Sequence, residues 1–317
     1  MNDTTHQHAV AQTFNAGNEA FRLHDWAQAL VLYEQVLGHD AQMVQAWLQK
    51  ARCLVHLTQW MPAREAFAQT LRLDPANYSA WLEAGHLCRQ MGELGQASRA
   101  YQRAIDVAPE RHEALLGMAR VMVQLGEHEA AQRAGTDALR AAAQSAGQAP
   151  ARQRQTAQLM GQYWMEAGQP AQALQWFQTA LAVPGADVDQ QAELQMDAAL
   201  AHWRLGQKAQ AHTLFTQASG AQALSTLSRL ALLSLQHNFA AEAVAVMQKA
   251  TQLHPGEALA WANLAYLHAE SWQLQEAEAA LAKALSLGEV PSSMSLRAAM
   301  AGKRGDVETT MALYRQL

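Results

Sequence analysis

Cysteine is nearly missing from this sequence. Its two residues, Cys53 and Cys88, can build neither a disulfide framework nor a four-cysteine zinc site. Glycine and proline are sparse too, at 18 and 8 of 317 residues, which excludes collagen-like and low-complexity classes and fits long helices with few breaks. Charged side chains make up 16%, against the roughly 25% usual in soluble domains, so the polar surface leans on glutamine and histidine. A basic excess is also lacking. Net charge is −5, with 12 basic and 15 acidic side chains in residues 1–150 and 11 and 13 in residues 151–317. Neither part is a basic module, so neither nucleic acid nor an anionic membrane is expected as a partner. No uncharged apolar run reaches the ~18 residues of a membrane span. The start, Met-Asn-Asp-Thr-Thr-His-Gln-His, has no basic n-region and no apolar h-region, and a cytoplasmic protein is expected.

What the chain does have is a period. Alanines recur at Ala29, Ala63, Ala97 and Ala131 in steps of 34, and the series continues through Ala173, Ala211, Ala243, Ala277 and Thr310. Twelve positions before each marker stands another small residue: Gly17, Ala51, Gly85, Ala119, Gly161, Ala199, Ala231, Ala265 and Ala298. Four positions after it the side chain is bulky, as at Tyr33, Phe67, Tyr101, Phe177, Phe215, Met247, Leu281 and Tyr314, with Gly135 the exception. Seven after it come Val36, Thr70, Ala104, Ala138, Ala180, Ala218, Ala250, Ala284 and Leu317. Spacings of 4 and 7 share one helix face, so each unit ends in an amphipathic helix. The earlier small residue belongs to a preceding helix that packs closely on it. Gly92, Gly126, Gly168, Gly206, Asn238 and Gly305 sit where the two helices must reverse, and they tolerate the positive φ of a helix C-cap. Pro75, Pro109 and Pro255 end second helices. A hairpin of this kind cannot bury its apolar face alone and must stack on its neighbours.

On these residues the chain resembles the tetratricopeptide repeat family, whose pattern is Trp-x2-Leu-Gly-x2-Tyr, then Ala-x3-Phe, then Pro, over 34 residues. The third unit reads Trp81-Leu-Glu-Ala84-Gly85-His-Leu-Cys88, then Ala97, Tyr101 and Pro109, and Trp47 and Trp261 lead their own units. The resemblance covers residues 10–317 and implies an all-α, right-handed superhelical solenoid of nine helix-turn-helix hairpins. Residues 1–9 are expected to be a flexible N-terminus, 10–139 to hold repeats 1–4 and 154–317 repeats 5–9. Between them, residues 140–153 absorb a 42-residue step. They lengthen the second helix of the fourth unit and add a loop near Ser145 to Pro150. Either the solenoid bends there, or the insertion rides on a continuous superhelix.

Signals for chemistry are few. The sequence has no His-Glu-x-x-His and no Walker-type glycine loop, and His6 with His8 would supply two metal ligands at most. Cys53 and Cys88 fall in first helices beside the small-residue seam, where free cysteines act as small hydrophobes. No catalytic residue, metal or cofactor is therefore expected. The amide-rich, lysine-poor composition is similar in style to bacterial proteins.

In the family resembled, first helices line a concave groove that holds extended peptides or partner segments. Lining positions would be Asn18, Phe21 and Arg22 in the first unit, and Gln49, Arg52, Val55 and His56 in the second. His86, Arg89 and Gln90 follow in the third, and Arg120 and Gln124 in the fourth. One arginine from each of these hairpins would face the groove, pairing with acidic groups while amides bond the partner's main chain. Further along, Trp203 and Tyr266 are candidate anchors. Trp47, Trp81 and Trp261 are core residues by motif. The family's chaperone-type carboxylate clamp is not expected: Asn18 matches it, but Gln49, Ser79 and Glu83 replace its other members. The asparagine ladder of sugar-transferring relatives is reduced to Asn263.

The resulting expectation is a non-catalytic scaffold for protein or peptide partners. The alternative is the N-terminal substrate-docking arm of a larger glycosyltransferase- or sulfotransferase-type enzyme. The chain stops at Leu317 without the polar helix that usually caps such an array. Met311, Leu313 and Tyr314 would then form an apolar edge, through which self-association is a third expectation.

Overall fold

The structure, a computed structural model, describes residues 2–144, 147–288 and 290–316, and among them finds eighteen helices and no strand. The chain divides into two compact units, the first ending at Ala167 and the second beginning at Gly168. In the first, α1 (Asn2–Arg22) pairs with α2 (Trp26–His39), and α3 (Val44–His56) with α4 (Trp60–Leu73). Next come α5 (Tyr78–Gln90) with α6 (Leu94–Val107), then α7 (His112–Leu125) with α8 (His128–Gln144), and finally α9 (Ala149–Glu166). Each second helix also packs on the first helix that follows it, from α2 on α3 to α8 on α9.

The second unit opens with α10 (Pro170–Ala182), which packs on α11 (Val188–Arg204). There α11 pairs with α12 (Lys208–Ala218), and α13 (Leu224–Gln236) with α14 (Ala240–Leu253). The remaining hairpins are α15 (Ala258–Glu270) with α16 (Leu274–Leu287), and α17 (Ser293–Lys303) with α18 (Val307–Tyr314). One core cluster of this unit runs from Ala192 on α11 to Met300 on α17.

The periodic small residues are the seams. Ala29, Ala63, Ala97, Ala131, Ala173, Ala211, Ala243 and Ala277 are all completely buried, as are Val36, Thr70, Ala104 and their counterparts seven positions on as far as Ala284. The bulky members Tyr33, Phe67, Tyr101, Phe177, Phe215, Met247 and Leu281 are buried as well. Tyr314 on α18 is exposed, together with Val307 and Met311, while Leu313 is half-buried.

Every reversal uses one left-handed residue, placed five before the marker. These are His24, Thr58, Gly92, Gly126, Gly168, Gly206, Asn238, Trp272 and Gly305, with φ between 57° and 77°. The residue after it reaches back five positions to close the helix, as in Gln59 N–H to Leu54 O (2.8 Å) and Glu93 N–H to Cys88 O (2.9 Å). His24, Thr58 and Trp272 occupy this position without being glycine or asparagine. The hairpin geometry demands the conformation whatever residue is there.

Several expectations change in detail. Residues 2–9 belong to α1 rather than preceding the repeats as a separate segment. The long step extends α8 to 17 residues and α9 to 18, so the insertion lengthens a first helix as well as a second. Of the loop expected near Ser145 to Pro150, Ser145 lies outside the described residues and Ala149 and Pro150 already begin α9. The compact units part at Ala167 and Gly168, because α9 packs on α7 and α8. Trp47, Trp81 and Trp261 are half-buried. Each indole N–H donates to the carbonyl six residues before it, Ala41 (3.0 Å), Pro75 (2.9 Å) and Pro255 (3.1 Å), so they tie down the preceding turn as well as pack.

Candidate functional site

The first helices of the first unit present a cleft of about 450 Å³ between α5, α7 and the extended start of α9. Its construction begins with Tyr101 on α6, whose buried ring lies between Gly85 on α5 and Gly117 on α7. With no side chain on either glycine, the two helices close on the ring, and it becomes the floor. The Tyr101 hydroxyl is hydrogen-bonded to His86 Nδ1 at 2.8 Å, which fixes the imidazole at the cleft edge. Tyr33 makes the matching bond to Asn18 Oδ1 (2.8 Å) two repeats earlier.

The far wall is α9, whose start the insertion lengthens. Arg152 on that added start and Thr156, Leu159 and Tyr163 beyond it follow at spacings of 4, 3 and 4, so one face of the helix looks into the cleft. Arg120 from α7 stacks over the Tyr163 ring (4.6 Å from the centroid) and reaches Glu166 at 3.0 Å. Three arginines, Arg89, Arg120 and Arg152, therefore line the cleft against a single lining carboxylate, Glu113. That carboxylate is already approached by Arg111 (3.7 Å) and His112 (3.6 Å). The local charge is positive although the chain is acidic overall.

The titratable groups respond to this environment. Burial between the walls, reinforced by Arg89, holds His86 below the ordinary histidine range, even though part of its ring remains accessible. His112 is lowered by burial against the opposing pull of Glu113. Burial pushes the Tyr101 hydroxyl up to about 12 and raises Tyr163 as well, so both are neutral hydrogen-bonding groups. Two polar atoms buried behind the cleft lining have no partner among the described residues: the Thr156 hydroxyl, in a residue only 1% exposed, and Arg120 Nε.

Of the residues expected along the groove, His86, Arg89 and Arg120 come together here. Arg52 does not remain free for a ligand: its guanidinium grips Glu83 of the next hairpin through Nε (2.9 and 3.0 Å) and also donates to Gln49 at 3.4 Å. Arg22 is 74% exposed at its side chain and pairs with Glu19 on its own helix. Phe21 and His56 meet at Trp26 instead. The His56 ring stacks on that indole at 4.0 Å and Phe21 meets it edge-on at 4.7 Å. Val55 packs on the core between α3 and α4, and Gln90 and Gln124 stand exposed near the ends of α5 and α7, outside the cleft lining.

Trp203 and Tyr266 belong to the second unit. Trp203 is packed with His237 (4.5 Å) and Phe239 (5.7 Å) on its core, whereas Tyr266 is 44% exposed. There Glu193 and Asp197 on α11 are both engaged by Arg229. Sequence reasoning missed Arg152, Thr156 and Tyr163. With Leu159 they follow a visible 4-3-4 spacing, but it crosses the boundary between the segment read as an insertion and the fifth repeat. Among the described residues no three His, Cys, Asp or Glu side chains converge on a metal position, and no helix is long and apolar enough to cross a membrane.

Comparison with known proteins supports the same repeat. Two family profiles, both described as tetratricopeptide repeat, match residues 20–84 and residues 83–146 and 228–293, together more than half of the chain. No curated protein matches the sequence significantly. Among solved structures, a tetratricopeptide repeat protein from Parabacteroides merdae matches at 13% identity with a TM-score of 0.55, over 88% of this chain and 99% of that one. PilW, a type IV pilus biogenesis factor, matches at 21% identity and TM-score 0.53, over 66% and 91%. The C-terminal part of a repeat protein from Cytophaga hutchinsonii gives 14% and 0.51, over 79% and 99%. At these identities the structures speak for the fold alone. With the profiles covering most of the periodic hairpins, the chain belongs to the tetratricopeptide repeat family.

Proposed function

We propose that this chain is a binding scaffold that holds an extended protein segment on the first-helix face of residues 1–167, anchored in the cleft between α5, α7 and α9. One observation carries the reading. Three first helices converge on a concave site that combines arginine forks with tyrosine, leucine and histidine surfaces, the mixture from which interface anchors are built. Ion pairs alone do not suffice. An exposed pair contributes roughly 0.2–1 kcal/mol, whereas micromolar affinity needs about 8 kcal/mol, so apolar contacts with Leu116, Leu159 and the Tyr163 ring have to supply much of the rest.

The test is selection of displayed twelve-residue peptides on the immobilised full chain, followed by anisotropy titration of the enriched sequences. Gln155→Trp places an indole at an accessible position of the cleft wall. Selected segments should lose binding to this variant while its helical content is unchanged. Enrichment of the same sequences on the blocked protein would refute the reading.

A further inference from the structure

We infer that the second unit carries a small-molecule site of its own, a slot between α12 and α14 that takes one uncharged aromatic group of two fused rings. It is built from residues of the second unit alone and stands whether or not the first unit holds a segment.

The slot follows from helical spacing. His212, Phe215, Thr216 and Ser219 stand at i, i+3, i+4 and i+7 along α12 and its C-cap. Glu242, Ala245, Val246 and Lys249 repeat those intervals on α14. Each set is one helix face, and the two faces, completed by Phe239 and the buried Ser234, enclose about 250 Å³. Both ends are bridged from helix to helix. His212 Nε2 and Glu242 Oε1 meet at 3.0 Å across one end, and Lys249 Nζ donates to the carbonyls of Ser219 (2.6 Å) and Ala221 (2.7 Å) across the other. The bridges are two turns apart, about 10 Å along each helix. Thr216 and Ala245, between them, are exposed and form the mouth.

Size and chemistry select the occupant. An apolar cavity of about 150 Å³ holds a benzene molecule, so about 250 Å³ has room for a second ring and little more. The rings already present are inclined to one another: Phe215 and Phe239 at 60° and 6.1 Å, His212 and Phe239 at 54° and 4.8 Å. Aromatic rings prefer such tilted or offset contacts, so a further ring extends the cluster. No charge is left over for a ligand. His212, Glu242 and Lys249 are occupied by the end bridges, and the Thr216 and Ser219 hydroxyls donate to the carbonyls of His212 (3.0 Å) and Thr216 (2.7 Å). An ionised ligand would lose its hydration without gaining a partner, whereas a neutral ring buries apolar surface against Phe215, Phe239 and Val246.

Isothermal titration of the full chain tests this with three probes: naphthol, its saturated counterpart decahydronaphthol, and naphthoate. Naphthol should bind severalfold more tightly than decahydronaphthol and about tenfold or more above naphthoate. Ala245→Leu fills the mouth from an exposed position, so it should remove naphthol binding while the melting temperature holds. Ala241→Leu makes the same change at an exposed α14 residue outside the slot and should leave affinity unchanged. Phe239→Leu takes away one ring and should narrow the preference for naphthol over decahydronaphthol, a ratio that a general loss of packing does not move.

The inference is overturned if naphthol does not bind, if Ala241→Leu and Ala245→Leu act equally, or if naphthoate binds as well as naphthol. Equal affinity for decahydronaphthol overturns it too, because the slot then selects shape and not the ring. Peptides selected by the cleft should bind Ala245→Leu as they bind the unaltered chain, so this site and the scaffold reading fail separately.

Discussion

Replacing Gly117 by alanine would put a methyl group where the Tyr101 ring already lies. The new Cβ would sit 2.5 Å from Tyr101 Cε1 and 2.7 Å from Cζ, whereas carbon atoms in contact prefer about 3.5–4.0 Å. The ring cannot slide away, because a Cβ on Gly85, on its other face, would be only 2.6 Å from the same Cε1. Overpacking of this kind costs about 1–3 kcal/mol, and alanine recovers about 1 kcal/mol over glycine inside a helix. The slot is closed by backbone on both sides, so the cost lies in the upper part of its range and Gly117→Ala should destabilise by about 1–2 kcal/mol. Gly38→Ala in α2 is the internal control. Nothing lies within 4 Å of its Cβ, and it should stabilise by up to about 1 kcal/mol. The two identical chemical changes therefore differ by about 2–3 kcal/mol in opposite directions. Urea unfolding followed by far-UV circular dichroism measures both, with slopes compared because a repeat array need not unfold in one step. In a Tyr101→Leu background the Gly117→Ala penalty should largely vanish. If Gly117→Ala stabilises as Gly38→Ala does, the account of the cleft floor is wrong.

Three further outcomes are expected. Thr58 holds φ 57° at a position where glycine or asparagine serves elsewhere, so Thr58→Gly should raise the urea midpoint, by about 1 kcal/mol in stability. A lower midpoint would contradict the left-handed assignment. His86 faces Tyr101, Arg89, Arg120 and Glu83, and His112 faces Glu113, Arg111 and Arg152. Both histidines are held below their ordinary range, so the folded state binds fewer protons than the unfolded one and free-protein stability should fall as pH drops through about 6.5. A flat stability profile from pH 7.5 to 5.5 would disprove the coupling. Burial pushes the Cys53 thiol up to about 12 and raises Cys88, so neither should react with a disulfide reagent at pH 8 until urea unfolds the chain. Rapid native labelling would contradict their burial.

The repeat was legible in the sequence because the physics behind it is local. A helix that packs on two neighbours must place small side chains at the seam every few residues, and those positions read out as the alanine series without any knowledge of partners. The reversals were half legible. Gly92 and Asn238 announce a left-handed cap, but His24, Thr58 and Trp272 adopt it only because the packed hairpin leaves the chain no other path.

The candidate site was legible only in part. A line of arginines was visible, yet charge alone does not say which of them remains available. Glu83 lies 31 residues from Arg52 and reaches it only once adjacent hairpins stack. The wall that completes the cleft begins in a stretch that read as an irregularity. Composition and period by themselves determined an all-helical hairpin repeat, because burial of an amphipathic face depends on spacing within a single helix. Tertiary structure alone decided where positive charge stays unpaired, because that depends on side chains brought together from helices tens of residues apart.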